Sequence, residues 1–265
     1  MKEIQLLSYA DKIWTNIDLK NILIDLCVTK GDIIYIHSSL MNLGKIMSDK
    51  RFFLDNLLEV FIDSVGEDGT VIMPTYSYSF CKKEDFDIVR TKGTVGLLNE
   101  YFRKREDVKR TDHPIFSDAI WGKETDTFLD IGKDAWGSNS VFEKMLERKA
   151  KIVTFGEYKG YTFHHFIEEK VGVSHRYFKE FCGNIIYEDN HKENVTVPYY
   201  VRNLEKKSLS SDNKIHEFLS SKGVEQSLPF SKGIVSVINV EEMFDIVAAK
   251  LREDETYFLR WEGER

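Results

Sequence analysis

The sequence predicts an α/β fold, a central mixed sheet flanked by helices. Three observations carry that prediction. Apolar residues recur at helical spacing in 17–26 and again in 52–65, where Leu54, Leu57, Leu58, Phe61 and Ile62 share one face. Short β-branched runs, 33–36 and 70–73, follow those helices. Turn-forming residues, Gly31-Asp32 and Gly66 to Gly69, separate each helix from the next strand. Alternation of helix and strand is how a sheet with helical crossovers is written in sequence.

The remaining elements follow in order. Pro74 stops the second strand. Residues 95–103 read as a short helix with Leu97, Leu98, Tyr101 and Phe102 apolar. Asp112-His113-Pro114 reads as a loop, because a residue before proline avoids the helical region. Ser140 is placed to cap a helix over 140–146, and Thr162 to cap one over 162–170. Strands are expected at 152–155, at 185–187 and 195–201 around the polar turn 188–194, and at 234–238. Helices are expected at 215–219 and 240–251. No repeat or linker interrupts the chain. It reads as a single domain over 1–265, with the more polar stretch 173–233 as a lid or substrate subdomain.

Composition excludes several classes. With 42% hydrophobic and 13% aromatic residues, the 265-residue chain carries enough apolar side chains for a sizeable core. A net charge of -7 repels a phosphate backbone, which argues against nucleic acid as a partner. Cys27, Cys81 and Cys182 are scattered, which argues against a disulfide framework or a structural zinc site. The first dozen residues carry acids where a signal peptide needs an apolar core, and no apolar run approaches the ~20 residues that span a bilayer. The expectation is a cytoplasmic protein without membrane contact.

Chemistry-bearing side chains gather where strands are expected to end: His37-Ser38-Ser39, Pro74-Thr75-Tyr76-Ser77, Arg110 to Pro114, and Thr162 to His165 with Glu168. Thr162, His165 and Glu168 sit three apart, along one side of a helix. A carboxylate one turn from an imidazole orients it and raises its basicity, and histidine is the side chain best matched to general-base work near neutrality. His164 is expected to point to another face. Adjacent histidines diverge by about 100 degrees around a helix, unlike zincin ligands, so no metal site is expected. The absence of a GxSxG elbow, a Walker loop and a GxGxxG fingerprint sets aside serine hydrolases of that type, nucleoside triphosphates and dinucleotides.

These residues resemble, in order and spacing, the aminoglycoside 3-N-acetyltransferase family. The resemblance runs through His37-Ser38-Ser39-Leu40 with Gly44, Gly66 to Thr70 leading to Met73-Pro74-Thr75, and Gly96-Leu97-Leu98 with Arg103. It continues through Arg110-Thr111-Asp112-His113-Pro114, Gly137 to Ser140, Gly156, and Thr162-x-x-His165-x-x-Glu168. It covers residues 31–170, with Thr111 standing where serine is commoner.

The resemblance implies an α/β fold distinct from the GNAT type, acetyl-CoA as donor, and direct transfer to an amine. His165 falls at the family's catalytic histidine with Glu168 as its acidic companion, and Thr162 beside them. His37, Ser38, Ser39, Thr75, Tyr76, Arg110, Thr111 and His113 fall where the family builds its coenzyme A and acyl site. Thr75 or Ser39 is the expected hydroxyl donor to the carbonyl oxygen, and Arg110 the expected phosphate contact. His175 to Lys179 and Tyr199 to Leu204 resemble relatives that acylate amino sugars. Arg176, Lys179 and Arg202 are then expected to meet the diphosphate of a nucleotide-linked amino sugar. The alternatives are an aminoglycoside acceptor with antibiotic resistance as its outcome, a hydrolase using the same histidine and serine, and a non-catalytic coenzyme A-binding relative. The aromatic-rich stretch 177–204 is expected as a homodimer interface.

Overall fold

A computed structural model describes residues 2–156, 161–206 and 208–260. The chain opens with a hairpin, β1 (Gln5–Tyr9) and β2 (Lys12–Thr15), followed by α1 (Asn16–Asp25), β3 (Ile33–Ser39), β4 (Lys45–Ile46), α2 (Lys50–Val65) and β5 (Thr70–Pro74). Then come β6 (Phe86–Asp87), α3 (Leu97–Phe102), β7 (Lys109–Arg110), β8 (Asp118–Gly122), α4 (Thr125–Leu129), α5 (Val141–Glu147), β9 (Lys151–Gly156) and α6 (Phe163–Val171). The last part holds β10 (Arg176–Ile186), β11 (Lys192–Arg202), α7 (Asp212–Ser221), β12 (Glu225–Phe230), β13 (Gly233–Asn239) and α8 (Val240–Glu253).

The main sheet has seven strands in the order β12-β13-β9-β3-β5-β8-β7. Its centre is parallel, β3 pairing with β5 on one side and β9 on the other; the outer strands are antiparallel. The expected mixed sheet is therefore present. Strand alternation assigns its two faces. Ile34, Ile36, Val71, Met73 and Val153 pack with Leu19 and Leu23 of α1, Phe53, Leu57 and Phe61 of α2, and Phe102 of α3. Tyr35, Ile72, Ile120 and Ile152 pack on the other side with Phe142 of α5, Phe166 and Ile167 of α6, and Met243 and Val247 of α8. The result is three layers, helix on sheet on helix.

The crossover from β3 to β5 runs through α2 on one face, and the chain reaches β9 through α5 on the other. The carboxyl end of β3 is thus a switch point, where such sheets leave a crevice for ligands. Gly156, with φ 99°, closes β9 there. A Cβ at this residue would lie 1.9 Å from the Ser39 carbonyl oxygen, so only glycine lets the two strand ends meet.

Several expectations change. His37, Ser38 and Ser39 lie in β3, not in a loop, because they continue the ladder to Thr154, Phe155 and Gly156 of β9. The strands expected at 185–187 and 195–201 are eleven residues each, paired from Arg176–Arg202 to Ile186–Lys192 and closed by a shorter turn. With β6 they form a separate three-stranded sheet. Within 173–233, β12 belongs instead to the main sheet. Ser140 does cap α5, accepting from Glu143 N–H, whereas Thr162 is itself helical in backbone (φ −54°, ψ −34°) and makes no capping bond. Among the described residues no helix is long and apolar enough to cross a membrane.

Candidate active site

Helix α6 follows the carboxyl end of β9 and carries His164, His165 and Glu168 on its first two turns. Its C-terminus is set by Gly172 in the left-handed region, whose N–H bonds the Glu168 and Glu169 carbonyls. Glu168 faces inward and is fully buried. Its Oε2 lies 2.7 Å from His165 Nδ1 and 2.8 Å from Arg176 Nε, and its Oε1 lies 3.0 Å from His175 Nε2 and 3.5 Å from His164 Nε2. His164 therefore turns toward Glu168 as well, through the i,i+4 relation, where the sequence suggested a separate face. Burial alone would raise the Glu168 carboxyl, but the neighbouring imidazoles, His164 first and then His165 and His175, hold it well below the carboxylate range. It is a fixed anion.

His165 is held by two groups at once. Glu168 Oε2 and Arg176 Nη2 (2.8 Å) both reach Nδ1. One nitrogen cannot donate to the first while accepting from the second. The carboxylate only accepts and the guanidinium only donates: a proton on Nδ1 serves Glu168 and leaves the lone pair on Nε2, whereas a proton on Nε2 leaves Nδ1 to accept from Arg176. The ring lies 5.7 Å from the buried Trp136 ring and keeps 30% of its side chain exposed. Burial, then the Arg176 charge, lower His165 to about 4 against the pull of Glu168. The imidazole is neutral near pH 7, the form a general base requires.

Two cavities flank this helix start. The larger, about 480 Å³, is lined by His165, Arg176, Lys179, Tyr199, Arg202 and Arg260 among others. The smaller, about 310 Å³, lies at the ends of β3 and β5 against His37, Ser38, Tyr76, Val95, Gly96 and Asn99. Thr162 lines both. Asn99 braces the smaller one: its Nδ2 donates to the Pro74 carbonyl (2.9 Å) and its Oδ1 accepts from Ser38 Oγ (3.0 Å). Burial lowers His37 to about 3, so it stays neutral. Hydroxyls, a carboxamide and small apolar side chains suit the narrow, amide-bearing arm and acyl end of coenzyme A.

The site residues divide accordingly. His37, Ser38, Tyr76 and Thr162 meet at the smaller cavity; His165, Arg176, Lys179, Arg202 and Thr162 meet at the larger. Ser39 ends its strand against Gly156. Thr75 is fully buried, and its hydroxyl donates to the Ser117 carbonyl, so it does not face an acyl group. Arg110 is spent inside the fold on the Thr75 and Ser117 hydroxyls and on the carbonyls of Thr75, Ile88 and Thr91; it holds a loop where a phosphate contact was expected. Thr111 Oγ1 accepts from Asp118 N–H, and His113 Nδ1 accepts from Ile115 and Phe116 N–H, so these two brace the turn between β7 and β8. Arg176 is committed to Glu168 and the Tyr200 carbonyl. Sequence reasoning missed Asn99, His175, Trp136 and Arg260. His175 opens the stretch 175–179 and Asn99 follows Leu98, but only the fold brings them to the site. Among the described residues no group of His, Cys, Asp and Glu is placed to hold a metal ion.

A half-buried histidine paired with a buried carboxylate thus stands beside two cavities, at the switch point of a three-layer α/β sheet. The family model for aminoglycoside 3-N-acetyltransferases matches residues 35–252. The chain therefore belongs to the aminoglycoside 3-N-acetyltransferase family, whose members are acetyl-CoA-dependent N-acetyltransferases.

Among curated proteins it is 26% identical over 168 residues to an SPbeta prophage-derived aminoglycoside N(3')-acetyltransferase-like protein, YokD, of Bacillus subtilis (strain 168), covering 54% of this chain and 60% of that protein. It is 28% identical over 118 residues to an aminoglycoside N(3)-acetyltransferase IV of Salmonella sp, covering 44% and 42%. The matched stretches thus span less than two thirds of either relative's length. Among solved structures, sisomicin-bound AAC-VIa superposes with a TM-score of 0.79 at 19% identity, covering 91% of this chain and 98% of that one. AAC-IIIb with CoASH gives 0.77 at 17% identity, covering 90% and 96%. These likenesses establish a shared fold.

Proposed function

We propose that the protein transfers the acetyl group of acetyl-CoA directly to a primary amine, with His165 as general base and Glu168 as the group that orients it. The observation carrying this reading is the His165–Glu168 pair opening on a cavity that shares Thr162 with a second one. The donor's narrow arm would lie along His37, Ser38 and Asn99; the amine acceptor would enter the larger cavity. The acceptor attacks as the neutral amine, Nε2 of His165 takes the proton its nitrogen sheds on bonding to the acetyl carbon, and Nδ1–H stays on Glu168.

The larger cavity favours a particular acceptor class. Lys179, Arg202 and Arg260 line it with Arg176, against the carboxylate of Asp212. Such a lining attracts phosphates and repels polycations. An amino sugar linked to a nucleotide diphosphate fits it better than an aminoglycoside. The aminoglycoside reading keeps the support of the family match and of the sisomicin-bound neighbour.

Thiol release from acetyl-CoA, measured against a panel of nucleotide-linked amino sugars and aminoglycosides, tests both levels. Turnover is expected with an amino-sugar nucleotide. His165→Ala is expected to lower it by ~10²–10⁴-fold with an unchanged circular dichroism spectrum. Turnover with aminoglycosides alone would reverse the choice of acceptor, and full activity in His165→Ala would remove the base assignment.

A further inference from the structure

The scheme above leaves one buried acid unused. Asp118, on β8, is fully buried. Its Oδ1 lies 2.7 Å from the Tyr35 hydroxyl, which lies 2.5 Å from the Tyr76 hydroxyl. Its Oδ2 has no hydrogen-bond partner among the described residues. Tyr76 lines the smaller cavity together with Thr162, the residue shared by the two cavities. An oxygen chain thus runs from a buried carboxyl group to the wall of the donor cavity.

Each hydroxyl in that chain has one hydrogen, so the carboxyl group decides which way all of them point. With Asp118 ionised, Tyr35 donates to it, Tyr76 donates to Tyr35, and the cavity meets a phenol lone pair. With the proton on Oδ1, the order reverses. Asp118 donates to Tyr35, Tyr35 donates to Tyr76, and the Tyr76 O–H is free to face the cavity. The surroundings favour the second state. Arg110 is the cation acting on Asp118, but its N–H groups go to Thr75, Ser117, Ile88 and Thr91. His37, 5.1 Å from the Tyr35 ring, is neutral. Burial pushes Asp118 up to about 8, with the Tyr35 hydrogen bond and the Arg110 charge opposing, and burial raises both phenols as well.

We propose that Asp118, acting through Tyr35 and Tyr76, supplies the proton that the departing sulfur takes up during acyl transfer. The inference rests on the acetyltransferase reading. As the carbon–sulfur bond breaks, its electron pair goes to sulfur, and sulfur takes the Tyr76 hydrogen. Tyr76 is refilled from Tyr35, and Tyr35 from Asp118, which becomes a carboxylate. The amine's proton meanwhile sits on His165, so one acid and one base act from opposite sides of Thr162. Both groups reset by exchange with solvent. Tyr76 is the catalytic residue here, and Tyr35 and Asp118 are positioning residues behind it.

The test combines infrared spectroscopy with pH profiles on the intact enzyme. The wild type should show a protonated-carboxyl band at pH 6.5 that is absent in Asp118→Asn and disappears as pH rises through about 8. Over the same range its kcat should fall. Asp118→Asn, which still accepts from Tyr35 but has no proton to give, should lose ~10²-fold in kcat and the basic limb with it. Tyr35→Phe should show the same kinetic loss while keeping the band, which guards against misfolding of a single variant. Wild-type kcat with an unchanged basic limb in Asp118→Asn overturns the proposal. An ionised Asp118 at pH 6.5 overturns it independently of any acceptor. A protonated Asp118 in a wild type that releases no thiol from acetyl-CoA overturns the acetyltransferase reading, and this proposal falls with it.

Discussion

His165 differs from the usual histidine of a catalytic pair in the company its carboxylate keeps. In a simple pair the carboxylate draws a proton onto the ring. Here Arg176 neutralises Glu168 from 2.8 Å and presses Nη2 against the same ring nitrogen. Burial and this charge together make the ring less basic than usual, so it stays unprotonated down to about pH 4. Replacing Arg176 with Gln should move the His165 titration up toward or beyond 6.5. A ring-resonance titration by NMR checks this directly, and kcat/KM in the variant should begin to fall at a higher pH than in the wild type. An unmoved titration would mean that burial alone sets the ring.

At the scale of elements, the β10–β11 hairpin gives the larger cavity its charge. Arg176 and Arg202 are register partners across it, and Lys179 stands on the same ladder. Lys179→Glu with Arg202→Glu should raise KM for a phosphate-bearing acceptor by about tenfold or more, the worth of one lost charge-assisted hydrogen bond, with little change in kcat. A fall in kcat at constant KM would place these side chains in the chemistry instead.

This hairpin was legible only in part. Its exposed stretches carry no apolar alternation to read, so only the buried cores at Ile185 and around Val195 to Val201 signalled strand. The opening hairpin was missed because its turn, Ala10-Asp11, adopts positive φ at both residues without the usual Asn-Gly signature. The core helices and the parallel strands were legible because their periodicity is strong. His165 and Glu168 were legible because one helical turn joins them. Asn99, Trp136 and Arg260 come from distant parts of the chain, and no local spacing brings them together.

Across the whole molecule, histidines held neutral by burial add to the acid side of the stability curve, beside the depressed carboxylates Glu100 and Glu168. His37, His113 and His165 are lowered to about 3, 4 and 4. The unfolded chain therefore binds more protons than the folded one below about pH 6.5, and stability is lost as pH falls from there toward 4. Burial is the main cause in all three, and at His113 both hydrogen bonds to Nδ1 also need the lone pair that a proton would occupy. Its share is roughly 3 kcal/mol between pH 7 and 4. His113→Asn should be less stable at pH 7 but flatter from pH 7 to 4 in a thermal-melt series; an unchanged slope would assign the acid sensitivity to carboxylates alone.

Thr162 has a kinetic consequence as a dividing wall. With a chamber on each side, neither substrate has to vacate a doorway before the other arrives. Initial-rate plots should intersect, the mark of two reactants held together at the moment of reaction; parallel lines would mean that the acetyl group rests on the protein between visits.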